Sequence, residues 1–510
     1  MGGRRSWRGL LVLTIAGAAL ALGMPATGQE PQRGGALRVG LQGDFTTLDP
    51  HMSTSAEDRH LYYQLYTPLV GLDANLRIVP ELAESWEQPD SLTYIFRLRR
   101  GVKFHDGTDL TADVVKWNFE RMLDPATGSI RRSELGNVKS VDVTDAHTMR
   151  VNLKQPDAAL LATLADRAGM MVSRAAVEKY GKDFARNPVG TGPFQFVEWV
   201  KDDHLTVRRV AGYWRAGLPY LDEIVYKPIP DHTVKLTALR TGSLDLIDEL
   251  PPKDLAGTKA NPKLRVIETP GLGYRRIELN HTRPPFNNKA IRQAVAWAIN
   301  REAIHRAVFF GTGAPAQGPI PPRSWAYEPL AGYGGTPDLA KAKEKLAEGG
   351  QPNGFRFVLN IVNTPVAQKQ AEIIQDNLKK AGVDMEIALL EVGAFDEKRR
   401  ATQFDGAEGL WSGRADPDGN MYAHLITGGN NNWGKYSNPR LDELLRGARS
   451  ASQQSERKRL YGEALRIVID EVPVIFLHHD AWTKAWEARV QGYAEIPDGR
   501  MRLERVWLGR

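Results

Sequence analysis

The sequence predicts a mixed α/β fold, and three observations carry that prediction. Segments with strict apolar–polar alternation stand beside segments whose apolar residues recur every three or four positions, and in the second half of the chain the two kinds interleave. The chain has 510 residues, 42% of them hydrophobic, enough for large buried cores in two or three domains. It has no cysteine, so these cores stand without disulfides and no thiolate chemistry is available.

From the N-terminus, Arg4, Arg5 and Arg8 precede an apolar run from Leu10 to Leu22, followed by small and polar residues up to Glu30. That order is a secretory signal peptide over residues 1–28, with Ala26-Thr27-Gly28 before the cut at Gln29. The run is too short for a bilayer-spanning helix, which needs roughly 20 residues. The Arg4-Arg5 pair leaves a twin-arginine route open beside ordinary secretion. Without a cysteine there is no lipid anchor, which points to a free periplasmic protein. The formal net charge is +6, and +3 once the leader arginines are gone. No Lys/Arg block of five or more occurs, which argues against a nucleic-acid partner.

Leu92, Tyr94, Phe96 and Leu98 alternate with Thr93, Ile95, Arg97 and Arg99 and predict a half-buried strand. His105-Asp106-Gly107 turns the chain, and Thr111 caps a helix carrying Val114, Val115, Asn118 and Phe119. Phe194 to Trp199 and Leu205 to Val207 flank Asp202-Asp203 as a hairpin. Ile291, Val295, Ala298 and Ile299 mark one face of a helix. Pro337-Asp338 opens another, with Leu339, Ala342, Leu346 and Ala347 inward and Gly349-Gly350 as its stop. Ile373, Ile374 and Leu378 belong to a third, ended by Gly382 and followed by a strand over Met385–Leu389.

Four stretches, in order, carry a resemblance. They are Ala83 to Glu87 continuing through Leu92–Arg99, Gly101–Gly107 and Leu110–Val114; Pro188 to Phe194 with Tyr213-Trp214 and Pro219 to Asp222; Leu279-Asn280 with Pro285 to Ala294; and Trp411 through Asp416-Pro417-Asp418. Together they resemble the peptide/opine/nickel class of bacterial ABC-transporter solute-binding proteins, family 5. The resemblance implies a two-lobed periplasmic-binding-protein fold, type II-like with an extra inserted subdomain, and a ligand cleft between the lobes. It implies one lobe over 29–272 plus 480–510, a subdomain inserted over about 52–187, and a second lobe over 273–479. The crossovers then lie near Gly271-Leu272-Gly273 and His478-His479-Asp480, where glycine suits dihedrals that change on closing. The resemblance also implies a small polar solute, delivered by a monomeric receptor to an inner-membrane ABC permease, with no cofactor. Trp86, Tyr94, Phe96, His105 and Asp106 identify the family as strand and turn residues, away from the ligand.

In relatives that bind free peptides, an aspartate three residues after the strand-end tryptophan holds the ligand's ammonium. Here the tryptophan is Trp411 and the third residue on is Arg414. A cation there disfavours an ammonium and suits a carboxylate, a phosphate or sugar oxygens. The alternative is that Arg414 pairs with Asp416, Asp418 or Glu408 and shapes the loop, and Asp416 becomes an amine-binding group if the loop is longer. Trp411 offers a flat face to a ligand or fills the core at its strand end. Trp433, after Asn430-Asn431-Asn432, Tyr274 beside the first crossover, and Phe45 in Gly43–Pro50 complete the candidate ligand-binding set. Arg399 and Glu408 read as solvated surface.

No GxSxG, HExxH or Walker A pattern appears, so no catalytic residue is named. His478-His479-Asp480 resembles a metal site only weakly, because adjacent strand residues point to opposite faces. Asp416-Pro417-Asp418-Gly419-Asn420 has the look of a calcium loop without its distal Glu. Two other classes stay open: an exported hydrolase of peptides or saccharides, and a sensory or chaperone binding protein.

Overall fold

The computed structural model describes residues 30–329 and 331–509. The expected leader over residues 1–28 lies outside the described residues. Two large mixed sheets organise the rest. The first has seven strands in the order Leu264–Pro270, Ala481–Glu487, Leu246–Ile247, Ala36–Leu41, Glu223–Pro228, His204–Arg209 and Phe194–Val200. The second has six: Ala314–Pro315, Val474–His479, Tyr274–Leu279, Gly406–Trp411, Arg356–Val362 and Asp384–Leu390. Each sheet anchors one lobe.

Between Ala36–Leu41 and Phe194–Val200 of the first sheet, the chain leaves to build a separate four-stranded antiparallel sheet from segments within Ala83–Leu153. Tyr94, Phe96 and Leu98 point inward there, against Phe119 and Val151. Leu92 falls outside the strand and is exposed. Thr111 caps the helix Ala112–Leu123 by accepting from the Val114 N–H. His105 and Asp106 fasten this unit: His105 Nε2 meets the Gly192 carbonyl at 3.0 Å, and Asp106 accepts from Ser173 Oγ at 2.5 Å. The signature residues are thus joinery.

The predicted helices form as Lys289–Ala298, Leu339–Glu348 and Pro365–Ala381, the last closed by Gly382 in the left-handed region. Ala347, expected inward, is exposed, because it falls one position past the face that Ala342 and Leu346 bury. Ile277, Leu359 and Ile361 pack one face of the second sheet against these helices. Tyr274 and Phe476 pack the other against Asp418–Leu425, Pro439–Ser450 and Gln454–Glu471.

The chain passes between the large sheets twice, at Gly271–Gly273 and at Asp480. The Gly271 N–H donates to the Asp480 carbonyl at 2.9 Å, tying the crossings together. Neither Gly271 nor Gly273 has a left-handed φ. Their requirement is steric: a Cβ on Gly273 would lie 2.0 Å from the Trp411 carbonyl oxygen, and one on Gly271 2.6 Å from that of Asp480. After Glu487 the tail folds back, and Met501, Leu503 and Val506 close the core around Leu37, Val39 and Tyr226.

Candidate functional site

A cavity of about 510 Å³ opens between the inserted unit and the second lobe. One wall carries Glu134, Asp157 and Asp166; the other carries Trp411, Arg414 and the loop Gly428–Asn431. The walls touch beside it, where the Ala158 N–H donates to the Arg449 carbonyl at 2.9 Å.

Trp411 ends the strand Gly406–Trp411 and pairs with Tyr274, the first residue of the strand after the crossover. The turn that follows is organised by Asn420 on the helix Asp418–Leu425. Asn420 Oδ1 accepts from Trp411 Nε1 at 3.0 Å and from the Arg414 N–H at 2.9 Å, and Asn420 Nδ2 donates to the Leu272 carbonyl at 3.2 Å. Tyr274 donates its hydroxyl to the Asn420 carbonyl at 2.9 Å. One side chain thus fixes the indole, the start of the Arg414 loop and the crossover. Sequence reasoning missed this role, although Asn420 closes the stretch that looked like a calcium loop.

Every carboxylate offered to Arg414 by the sequence has another partner. Asp416 takes Arg457 in a buried two-pronged pair at 2.6 and 2.8 Å. Asp418 takes Arg449 at 2.5 and 3.0 Å. Glu408 is buried, accepts from Gln370 Nε2 at 3.0 Å and faces Arg275 at 3.9 Å; burial raises its pKa. The guanidinium of Arg414 lies over the Trp411 ring, 4.5 Å from its centroid, and donates to the Gly413 carbonyl at 2.7 Å. Among the described residues no carboxylate comes within 4.0 Å of it. Desolvation, with Arg59 next, pushes its pKa down to about 10, so it remains a cation at neutral pH. Gly419 gives it room, since a Cβ there would meet Arg414 Cγ at 2.6 Å.

The facing acids are also occupied. Asp166 pairs with Arg59 at 2.8 Å, and Glu134 with Arg131 at 2.5 Å. Buried Asp157 accepts from Asn137 Nδ2 at 2.9 Å and the Ala159 N–H at 3.1 Å.

Trp411, Arg414 and Asp416 therefore line the open cavity. Tyr274 and Trp433 line a second, enclosed space of about 10 Å³, room for one water. Arg276 Nη1, Glu278 Oε2 and His424 Nδ1 around it are buried with no partner among the described residues. Burial, then Arg276, Arg414 and Arg399, holds the His424 pKa well below its ordinary value. Phe45 lines neither space; it packs edge-on against Tyr226 at 5.6 Å in the first lobe's core. Arg399 is not the solvated residue its sequence suggests, since its guanidinium lies 3.9 Å from the Trp433 ring centroid. Glu408 likewise sits inside the sheet at 4% exposure. At the second crossover His478 Nδ1 faces Asp480 at 2.9 Å and His479 Nδ1 faces the Gly273 carbonyl at 2.9 Å.

Comparison with known proteins completes the description. Residues 77–433 match the family described as bacterial extracellular solute-binding proteins, family 5 Middle. The glutathione-binding protein GsiB of Escherichia coli K12 is 32% identical over 480 residues, covering 90% of this chain and 92% of GsiB. The ABC transporter-associated periplasmic binding protein DppA from Helicobacter pylori, solved with the peptide STSA, superimposes with a TM-score of 0.83 at 29% identity, over 94% of this chain and 99% of that one. AgaA from A. tumefaciens R10, solved with agropinic acid, gives 0.83 at 28% identity, over 93% and 99%.

Proposed function

Since this chain belongs to the bacterial extracellular solute-binding proteins of family 5, we propose that it is the receptor of an ABC importer and that its cargo is a small polar solute bearing an anionic group. The single observation behind the choice of charge is Arg414: a guanidinium on the cavity wall, held by its backbone and stacked on an indole, with every nearby acid engaged elsewhere. Such a group binds a carboxylate through two parallel N–H donors, and desolvation as the cleft closes strengthens the bond. An acidic peptide or an opine carries that group; the proteins of similar sequence and structure named above include binders of glutathione and agropinic acid.

Residues 29–272 with 480–510 form one lobe, 273–479 the other, and about 52–187 the inserted jaw; the lobes hinge at the two crossovers. Trp411 is the platform and Arg414 the anchor, and Asp416 holds the loop through Arg457. The protein works as a monomer in the periplasm, after loss of its leader, and hands its cargo unchanged to the permease.

The test is a thermal-melt scan of the mature protein with glutathione, opines, neutral peptides and oligosaccharides. A compound present at 100 times its Kd stabilises by about 2.7 kcal/mol through linkage. The expected hits carry a carboxylate, and Arg414→Asp removes their effect. Stabilisation by neutral sugars alone, or an undiminished effect in Arg414→Asp, contradicts the reading.

A further inference from the structure

Arg414 has a counterpart in the first lobe. Arg500, on the returning tail, is 3% exposed, and its guanidinium lies over Trp482, 4.9 Å from the ring centroid. Its Nε and Nη2 have no partner among the described residues. Its Nη1 reaches only His60 Nε2, at 3.5 Å. The His60 Nδ1 already accepts from the Met501 N–H at 3.3 Å, so in the neutral ring Nε2 carries the proton and is no acceptor. Asp498, two residues earlier, is taken by Arg502 at 2.7 and 2.9 Å.

Other buried arginines of the described residues also keep a nitrogen without a partner, Arg276 Nη1 and Arg301 Nη2 among them, but each has an acceptor elsewhere on its guanidinium. Arg301 donates to the carbonyls of Phe476, Ala296 and Ala316, Arg292 to those of Glu471 and Phe286, and Arg276 pairs with Glu278 at 2.5 Å. A buried cation without an acceptor is among the most destabilising features a fold can hold. A protein that keeps one has a use for it.

Its surroundings lead to the hinge and, through one ion pair, to the cavity. Trp482 is the second residue after the Asp480 crossing, and its Nε1, also without a partner, sits 3.1 Å from where a Cβ on Gly271 would be. Arg59, next in sequence to the His60 that Arg500 meets, pairs with Asp166, which lines the same cavity as Arg414. Each lobe thus holds one guanidinium stacked on one indole and paired with no carboxylate among the described residues.

We propose that Arg500 and the indole N–H of Trp482 form a second anion seat on the first lobe, so that the cargo is a dicarboxylate held by one guanidinium from each lobe. This rests on the receptor reading above and adds the cargo's second charge. A planar carboxylate accepts two donors from the guanidinium edge, while the ring face stays against the indole. Only the closed form brings both seats to one ligand, so the second seat couples binding to closure.

The test titrates glutathione, which has two carboxylates, and its diethyl ester, which has none, into wild type, Arg500→Met, Arg500→Lys and Arg414→Met, alongside ligand-free melting curves. Arg500→Met is expected to weaken glutathione at least tenfold, leave the diester unchanged, and not lower the ligand-free melting temperature. Arg500→Lys is expected to recover part of the affinity. Unchanged glutathione affinity in Arg500→Met overturns the proposal. So does an equal fall for both probes, or a ligand-free destabilisation that Arg500→Lys repairs, because either marks a structural residue. Wild type that binds the one-carboxylate peptide STSA and no dicarboxylate overturns the second seat and leaves the receptor standing; wild type that binds no anionic compound overturns both.

Discussion

Arg457 and Arg414 address the same turn of chain and keep opposite company. Arg457 is buried and grips Asp416 with two bonds, and it also meets Tyr461 Oη at 3.2 Å. Arg414, two residues before that aspartate, is half-buried, rests on Trp411 and pairs with no carboxylate among the described residues. The difference separates construction from use. A charge neutralised inside the protein fixes the loop. A charge left over on a cavity wall is balanced only when something else arrives.

Removing Arg457 breaks the comparison most violently. Arg457→Ala leaves Asp416 as an uncompensated buried charge and is expected to destabilise the second lobe by about 3–5 kcal/mol, read from urea unfolding. If the loss is below about 1 kcal/mol, Asp416 does not hold the loop through Arg457.

Acid comes next, because histidine has an escape that arginine lacks. His51, beside Arg121, and His105, in the signature turn, are buried, and desolvation lowers both from 6.5 to about 4. The unfolded chain takes up these protons near 6.5 while the native protein refuses them until about 4. Their share of stability is therefore whole above 6.5 and drains away as the pH falls toward 4. Urea midpoints should fall from pH 7 to pH 5, and His105→Gln should flatten that slope. A pH-independent midpoint would show both rings already charged or exposed.

Arg414→Ala sharpens the comparison from the other side. It should shift stability by less than about 1 kcal/mol while weakening an anionic cargo by roughly 1.5–3 kcal/mol, the worth of a charge-assisted hydrogen bond. Calorimetry on wild type and variant reads both effects. A variant that unfolds early without losing affinity would move Arg414 into the construction class. The smallest effect belongs to a pair both exposed and solvated, Arg356 with Glu386 at 2.7 Å. Arg356→Ala should change stability by no more than about 1 kcal/mol in physiological salt.

These contrasts also mark how far the sequence could be read. Alternation at Tyr94, Phe96 and Leu98 and the caps at Thr111, Asp338 and Gly382 are local physics, and they form as local physics requires. Arg414 was legible through its departure from a family pattern. Asn420 was not, because its four bonds reach Trp411 and Arg414 in one stretch of chain and Leu272 and Tyr274 in another, 146 to 148 residues away. Arg399 and Glu408 were misread as surface because their burial depends on Trp433 and Gln370, which no spacing reveals. Phe45 lies in the expected N-terminal segment, yet its ring turns into the core because Tyr226 of a neighbouring strand receives it. Arg500 looks ordinary in the sequence; only the fold shows that Asp498 is spent on Arg502.

This receptor is built around a guanidinium, that of Arg414, which pairs with no carboxylate among the described residues and awaits an anion. The decisive measurement is a crystal structure of the protein purified from its native source with its cargo retained. The expected result is ligand density in the cavity beside Trp411 with an acidic group on the Arg414 guanidinium. A ligand that presents an ammonium or an uncharged face to Arg414, or a ligand-bound protein in which Arg414 pairs with one of its own carboxylates, would contradict it.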